Sequence, residues 1–238
     1  MRFPKIIAAV LLLFGLLAPG AQAGEDCHPL PTPGHPQYLV GYGSLMDEAS
    51  RLRTAPNAKE ALPVRVQGFR RAWITPGSEI GFSTTFLGVS PNAKAGMNAV
   101  LFALADDAEL GNMDAREAGY CRVAVAPEQL TPLAGERPQG EVWLYVNAMG
   151  KTAAPSRRYP IVQSYVDIFL AGCLQIERQY QLAGFAEECV DSTHGWSKHW
   201  VNDRLYPRRP FIYQPNAGTI DRLLERKRPA EFRAIRIE

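Results

Sequence analysis

The sequence predicts an α+β fold in which most of a sheet is laid down before the longest helix. Stretches rich in β-branched and aromatic residues lie mainly within the first 150 residues, whereas the longest helical pattern lies at residues 160–182. A shorter helical pattern at residues 106–118 separates two groups of strands. Strands and helices that are grouped along the chain, rather than strictly alternating, are typical of α+β domains.

The N-terminal segment, residues 1–23, is typical of a secretory signal. Two basic residues precede an apolar run at residues 6–17, and small residues lead up to an expected cleavage after Ala23. A Pro-Gly pair interrupts the apolar run before it reaches the roughly twenty residues that span a bilayer. We therefore expect an exported protein, periplasmic or secreted, with no stable membrane anchor after the signal is removed.

The remaining chain is expected to be formally neutral. Removal of the signal leaves Lys and Arg equal in number to the 24 Asp and Glu residues, so no broad basic surface predicts nucleic-acid binding. Residues 24–36 form a leader rich in Pro, Gly and His. Residues 37–238 then form a single domain, since a hydrophobic content of 46% supplies enough apolar surface for a core.

Four cysteines predict one or two disulfides in an exported chain, and three full pairings are possible. Their scatter lacks the close spacing of a zinc site, so no metal is expected. Cys121 lies in an apparent strand and is expected to be a small core residue rather than a nucleophile. The four positions are Cys27, Cys121, Cys173 and Cys189.

Four strands are predicted before the first helix. Residues 37–41 form the first strand, and residues 64–75 alternate well enough for a second strand that bulges at Gly68. Residues 82–89 and 97–104 add two more strands of the same sheet.

The helix that follows is predicted to begin after Asp106, a suitable N-cap, and to end at Gly119. Two strands come next at residues 120–125 and 140–146, where β-branched and aromatic residues are dense. The long helix at residues 160–182 completes the regular part of the chain.

The C-terminal part of the chain has the weakest sequence patterns of secondary structure. Aromatic residues and prolines at residues 183–217 predict an ordered but irregular extension, with one short helix near residues 198–203. The tail at residues 231–237 is expected to close the sheet as an edge strand.

A short motif after the first strand is the first candidate for chemistry. It reads Tyr42, Gly43, Ser44, Leu45. A glycine-punctuated turn that leaves a strand can aim several backbone N–H groups at a carboxylate or an oxyanion. We therefore expect an anion-binding loop at this position.

Glu117 is the candidate proton carrier. On a helix it would share one face with Leu110 and Met113. Burial of that face would raise the pKa of the Glu117 carboxylate toward neutrality, which suits a general acid and base. The alternative is a glutamate that caps a turn or pairs with Arg116 or Arg122 at the surface.

The two motifs together resemble the γ-glutamylcyclotransferase-like family over residues 38–146. They are Tyr-Gly-Ser after a first strand and Arg-Glu-x-Gly-Tyr at the end of a later helix. The resemblance implies a small mixed β-barrel with helices packed outside it. It implies that the general acid and base is Glu117. The substrate-binding residues that it implies are Tyr42, Gly43, Ser44, Leu45 and Tyr120.

The activity implied by the resemblance is the cyclisation of a γ-glutamyl group to 5-oxoproline, with release of an amine or amino acid. The substrate would be a small γ-glutamyl compound, and neither a metal nor a cofactor is required. Many family members have Asn after the loop serine, whereas this chain has Leu45. Any contact from that amide to the acyl group would be lost.

Two other functions are compatible with the sequence. The same fold can bind a small ligand or a partner protein without turnover, because a fold does not fix a function. Alternatively, Ser44 is a nucleophile with His194 or His199 as its base, as in an amidase. Ser44 lacks the Gly-x-Ser-x-Gly context of a nucleophile elbow, which makes this alternative the weakest of the three.

Overall fold

A seven-stranded mixed sheet, a three-stranded parallel sheet and six α-helices form the described part of the chain, which comprises residues 27–79, 82–148, 150–209 and 214–238 of a computed structural model. The strands are β1 (Gln37–Gly41), β2 (Leu62–Glu79), β3 (Phe82–Ala103), β4 (Tyr120–Ala124), β5 (Leu130–Pro132), β6 (Glu141–Asn147), β7 (Ile161–Val162), β8 (Thr193–His194), β9 (Trp200–Asn202) and β10 (Arg236–Ile237). The helices are α1 (Glu48–Leu52), α2 (Asp107–Arg116), α3 (Gln163–Gln179), α4 (Phe185–Asp191), α5 (Ala217–Lys227) and α6 (Pro229–Arg233).

The predicted signal at residues 1–23 lies outside the described residues, as do the first residues of the leader. Within the described ranges, no helix combines the length and the apolar character that a bilayer crossing requires.

The large sheet has the strand order β4-β6-β1-β3-β2-β5, with β8 beside β2. β1 lies at its centre, antiparallel to β3 and parallel to β6. In the described part of the chain the end strands β4 and β5 do not pair, so the closed barrel implied by the family resemblance is not confirmed. The fold is mixed α+β with an open central sheet and helices packed around it.

The long hairpin of β2 and β3 dominates that sheet. The two strands predicted at residues 82–89 and 97–104 are one continuous strand, because β2 pairs with β3 along nearly its whole length. The predicted bulge is confirmed, since the register shifts between Gln67 and Phe69. Gly68 between them has a φ of 87°, which favours glycine over any residue with a side chain.

Helix α3 is buried along most of its length and packs against α4 and against the turn that follows β1. Its core side chains include Val166, Phe169 and Leu170, all fully buried. The disulfide Cys173–Cys189 joins α3 to α4, and Cys27–Cys121 joins the leader to β4. The sequence predicts one or two disulfides, and the structure has two, in one of the three possible pairings.

The C-terminal part is more regular than its sequence predicts. Segment 183–217 contains α4, β8 and β9. The short helix predicted near residues 198–203 is wrong, because Trp200–Asn202 is a strand between β7 and β10. The tail predicted as one edge strand at residues 231–237 begins with the end of helix Pro229–Arg233, and only Arg236–Ile237 form a strand, β10.

Candidate active site

All six residues predicted for the site line one cavity of about 30 Å³. A cavity of this volume has room for about two water molecules. Three further residues complete its walls. The lining residues are Tyr42, Gly43, Ser44, Leu45, Leu87, Glu117, Tyr120, Tyr145 and Tyr165.

The turn after β1 forms one wall from backbone rather than side chains. A Cβ on Gly41 would lie 2.8 Å from the Leu45 carbonyl oxygen, and a Cβ on Gly43 would lie 2.7 Å from the Tyr165 hydroxyl. A Cβ on Gly41 would collide with backbone, so glycine is required there, whereas a Cβ on Gly43 would displace the Tyr165 hydroxyl that lines the cavity. The chain then makes one 3-10 turn over Ser44–Met46. Burial raises the pKa of Tyr165, and the backbone of Ser44 opposes the rise, so the turn and the Tyr165 hydroxyl act on each other at the cavity.

Arg71, which is fully buried on β2, donates a hydrogen bond to the backbone of this turn. Its Nη1 donates to the Tyr42 carbonyl at 3.2 Å and to the Asn98 carbonyl at 2.8 Å. Its Nη2 donates to the Cys189 carbonyl at 2.9 Å. Burial lowers the pKa of Arg71 to about 9. The loop is thus fixed by one guanidinium that also contacts β3 and the end of α4.

Glu117 is the residue immediately after helix α2 and is mostly buried. The helix ends at Arg116 rather than at Gly119, and the N–H of Glu117 donates to the Met113 carbonyl at 2.9 Å. Burial raises the pKa of Glu117, while Arg116 and Arg209 oppose the rise. The direction of this shift in pKa is the one that the sequence predicts for a buried carboxyl group.

Arg116 connects Glu117 to the loop. Its Nε lies 3.2 Å from Glu117 Oε1, and its Nη2 lies 3.2 Å from the Ser44 hydroxyl oxygen. The remaining donors bind the Ser50 carbonyl at 2.8 Å and the Thr54 hydroxyl at 3.0 Å. The Arg116–Glu117 pair expected as the alternative is therefore present, but both side chains are mostly buried rather than at the surface.

Four tyrosines surround the carboxylate. The pKa of Tyr42 and that of Tyr165 are raised, chiefly by burial, so both hydroxyls stay protonated near neutral pH. The Tyr120 hydroxyl donates to the Leu87 carbonyl at 3.2 Å. The Tyr145 hydroxyl donates to Asp114 at 2.6 Å. The site therefore offers neutral hydroxyl groups around one titratable carboxylate.

Sequence reasoning missed three of the lining residues. Tyr165 lies in the long helix predicted at residues 160–182 and Tyr145 in the strand predicted at residues 140–146, and neither belongs to a motif. Leu87 belongs to a strand with no motif of its own. Tyr165 reaches the cavity because α3 packs against the turn after β1, and no local sequence pattern predicts that contact.

The serine-nucleophile alternative receives no support from the geometry. The Ser44 hydroxyl contacts Arg116, and neither His194 nor His199 lines the cavity. His194 lies on β8, where its partner in the sheet is Ala72.

The described residues include no group of three or more His, Cys, Asp or Glu side chains that could hold a metal ion. Both pairs of cysteines in these residues are joined in disulfides.

No protein-family model and no curated protein matches the sequence. Several solved structures are similar to the chain. A γ-glutamyl cyclotransferase is 14% identical, with 65% of this chain and 86% of that chain covered and a TM-score of 0.49. An uncharacterized protein from Homo sapiens is 15% identical, with the same two coverages and the same TM-score of 0.49. A γ-glutamyl cyclotransferase specific to glutathione from yeast is 10% identical, with coverages of 82% and 98% and a TM-score of 0.40.

These similar structures include γ-glutamyl cyclotransferases, the family that the two sequence motifs resemble. At this level of identity, and with these TM-scores, the similarity assigns neither an activity nor a substrate to the chain.

Proposed function

We propose that the chain is an exported γ-glutamylcyclotransferase-like enzyme that converts a γ-glutamyl group to 5-oxoproline and releases an amine or amino acid. The single observation that carries the proposal is the convergence of the loop at residues 42–45 and Glu117 on one cavity. The two motifs are separated by about seventy residues of sequence, so this convergence is a property of the fold.

In this reaction the substrate is both nucleophile and electrophile. The α-amine nitrogen attacks the γ-carbonyl carbon, the new N–C bond closes a five-membered lactam, and the bond from that carbon to the leaving nitrogen breaks. Glu117 accepts the proton from the α-amine and returns a proton to the leaving nitrogen, so the carboxylate is regenerated. A raised pKa suits both roles, because proton transfer is most efficient when the pKa lies near the working pH.

The walls of the cavity would supply orientation and electrostatic stabilisation. Holding the amine beside its own carbonyl can offset about 7–11 kcal/mol of the barrier, as in well-oriented intramolecular reactions. We assign the Tyr165 hydroxyl, which lines the cavity, as a donor to the substrate carboxylate or to the developing oxyanion. No step of this reaction requires a metal or a cofactor.

The test is incubation of residues 24–238 with a panel of γ-glutamyl dipeptides and γ-glutamyl amines, followed by mass spectrometry of 5-oxoproline. We expect wild-type protein to form it and Glu117→Gln to lose it. Because burial raises the pKa of Glu117, the amide removes an unfavourable charge at neutral pH, and the variant should stay folded. Glu225→Gln on the exposed face of α5 is the matched control and should keep full activity.

Full activity in a folded Glu117→Gln variant would remove Glu117 from the proposed role. N-terminal sequencing of the exported protein tests the expected cleavage after Ala23.

A second function, ligand binding without turnover, is favoured by one observation. The contact between Glu117 and Arg116 would stabilise a charged carboxylate that acts only as a hydrogen-bond acceptor. Calorimetric binding of a γ-glutamyl compound by folded wild-type protein that forms no 5-oxoproline would favour this function over catalysis.

A further inference from the structure

A second cavity, of about 490 Å³, lies between the two end strands of the large sheet. Ala124 at the end of β4 and Leu130 at the start of β5 both line it. Since these two strands do not pair in the described part of the chain, the cavity occupies the gap between them. Its volume falls in the range of about 300–1,000 Å³ that is typical of small-molecule sites.

This cavity is separate from the candidate active site. Among the described residues, none lines both cavities. Strand β6 runs between them, since Glu141, Val142 and Trp143 line the second cavity and Tyr145 lines the candidate active site. A ligand in the second cavity would therefore leave the loop at residues 42–45 and Glu117 uncovered.

The walls of the second cavity are largely apolar. Four buried members of the core reach it, and alanine and proline side chains contribute further wall surface. The four core residues are Val125, Leu130, Val142 and Trp143. Covering apolar surface contributes about 25 cal/mol for each Å² removed from water, so an apolar ligand would be stabilised here.

Hydrogen bonds between neighbouring elements fix the walls. The Val125 N–H donates to the Val142 carbonyl at 2.8 Å, which joins β4 to β6 beside the cavity. The Gln129 amide accepts from the Ala126 N–H at 3.0 Å and donates to the Gln67 carbonyl on β2 at 3.3 Å. The cavity is therefore already formed without a ligand, and binding would require little ordering of the chain.

Arg137 supplies a positive charge to this apolar cavity. Its Nη1 donates to the Pro127 carbonyl at 3.1 Å, and both residues line the cavity. The side chain has no other hydrogen bond and no ion pair within the described residues. A guanidinium carries five N–H donors in a fixed planar arrangement and stays protonated, so donors remain for a carboxylate.

Glu141 is the other charged residue that lines the cavity, and its oxygens are already bound. Oε1 accepts from the Thr32 hydroxyl at 2.7 Å. Oε2 accepts from the Thr32 N–H at 2.8 Å and from the Gln37 amide at 3.0 Å. These donors belong to the leader and to β1, and they lower the pKa of Glu141. The charge with unused hydrogen-bonding groups at this cavity is therefore the positive charge of Arg137.

We propose that this cavity binds a small carboxylic acid with an apolar body, of the kind that a medium-chain fatty acid represents. The carboxylate binds Arg137, and the apolar body contacts Leu130 and Trp143. This inference does not depend on the proposed function, because the two cavities share no lining residue among those described and the test measures binding rather than turnover.

Two matched probes test the proposal, octanoate and octanamide, which have the same chain and differ in the charge of the head group. Their dissociation constants for the protein of residues 24–238 are measured by isothermal titration calorimetry. We expect wild type to bind one octanoate per chain, about tenfold or more tightly than octanamide, because charge-assisted hydrogen bonds are the stronger ones.

Three variants at exposed positions complete the test, and far-UV circular dichroism verifies that each is folded. Arg137→Gln should bring the ratio of the two dissociation constants near one. Arg70→Gln, on β2 and away from the cavity lining, is the matched control and should keep the wild-type ratio. Ala126→Phe places a ring in the cavity and should abolish the binding of both probes.

Three outcomes would overturn the proposal. The first is the absence of octanoate binding to wild type. The second is equal affinity of wild type for octanoate and octanamide, which would show that no cation binds the head group. The third is unchanged octanoate affinity in folded Ala126→Phe, which would place the bound acid elsewhere. Each of these outcomes leaves the proposed function standing, since none concerns the formation of 5-oxoproline.

Discussion

Arg71 shows how much of the site depends on one residue that never faces the cavity. Its guanidinium is fully buried and donates to carbonyl groups of the loop, of β3 and of α4. Removing it leaves several buried acceptors without a donor, which costs about 1–3 kcal/mol for each group. We expect Arg71→Met to lower the free energy of unfolding by about 3 kcal/mol or more.

Urea denaturation followed by tryptophan fluorescence measures this loss. Arg65→Met is the matched control on the same strand, because its ion pair with Glu188 is half exposed. Exposed pairs contribute about 0–1 kcal/mol, so the control should remain close to wild type. Similar losses in the two variants would contradict the role given to Arg71.

The pH dependence of activity reports directly on Glu117. Burial raises its pKa above the ordinary value of 4.5, so kcat/KM should fall as the pH drops through that raised pKa and the base becomes protonated. Arg116→Gln removes a cation that favours the carboxylate, and we expect the acidic limb of the profile to move to higher pH.

The control is Arg222→Gln on the exposed face of α5, which removes one positive charge far from the cavity. Its profile should match that of wild type. An acidic limb that stays in place in Arg116→Gln, or that moves to lower pH, would show that another group limits the rate.

The residues of the candidate site were predictable where a local pattern marks them. Residues 42–45 follow a strand with glycine in the turn, and Glu117 follows two apolar residues at helical spacing. Tyr145 and Tyr165 belong to no such pattern. They reach the cavity through packing between elements that are distant in sequence, which no local pattern records.

At the level of elements, the two disulfides connect different parts of the fold and should contribute different amounts to the free energy of unfolding. Cys173 and Cys189 are 16 residues apart, whereas Cys27 and Cys121 are 94 residues apart. A bridge restricts the unfolded chain more when it closes a longer loop. We expect replacement of the first pair by alanine to cost about 3 kcal/mol, and of the second pair about 4–5 kcal/mol.

Urea denaturation of each double variant measures the two losses, with wild type as reference. A larger loss for the Cys173–Cys189 pair would mean that packing between α3 and α4, rather than the entropy of the unfolded chain, sets the contribution of that bridge.

The prediction of elements succeeded for long patterns and failed for short ones. The first strand was predicted with its observed bounds, and Asp106 is the N-cap, since its side chain accepts from the Glu109 N–H. The helix predicted near residues 198–203 is instead β9, which exists because β7 and β10 lie on either side of it. A strand of three residues has too few side chains to show a period of two.

At the scale of the whole molecule, the sheet joins segments that are far apart in the chain. Gln37 on β1 pairs with Glu141 on β6, and Arg71 on β2 pairs with Thr193 on β8. Sequence predicted a sheet and helices, and the mixed α+β fold is confirmed. It did not predict the strand order, because pairing depends on tertiary contacts. The implied closed barrel is the part of the expectation that the strand order does not support.

The pairing of β2 with β8 also sets the order in which the chain can fold. Arg71 obtains acceptors from Cys189, Ser192 and Thr193, more than a hundred residues after its own position. In a chain that ends before those residues, the Arg71 guanidinium would be buried among apolar side chains without these partners. The free energy of forming the incomplete sheet would therefore be unfavourable. Pairing over such distances is also slow, with folding times on the order of milliseconds to seconds. The sheet is therefore expected to assemble only after the C-terminal part of the chain is available, which would suit the export proposed above.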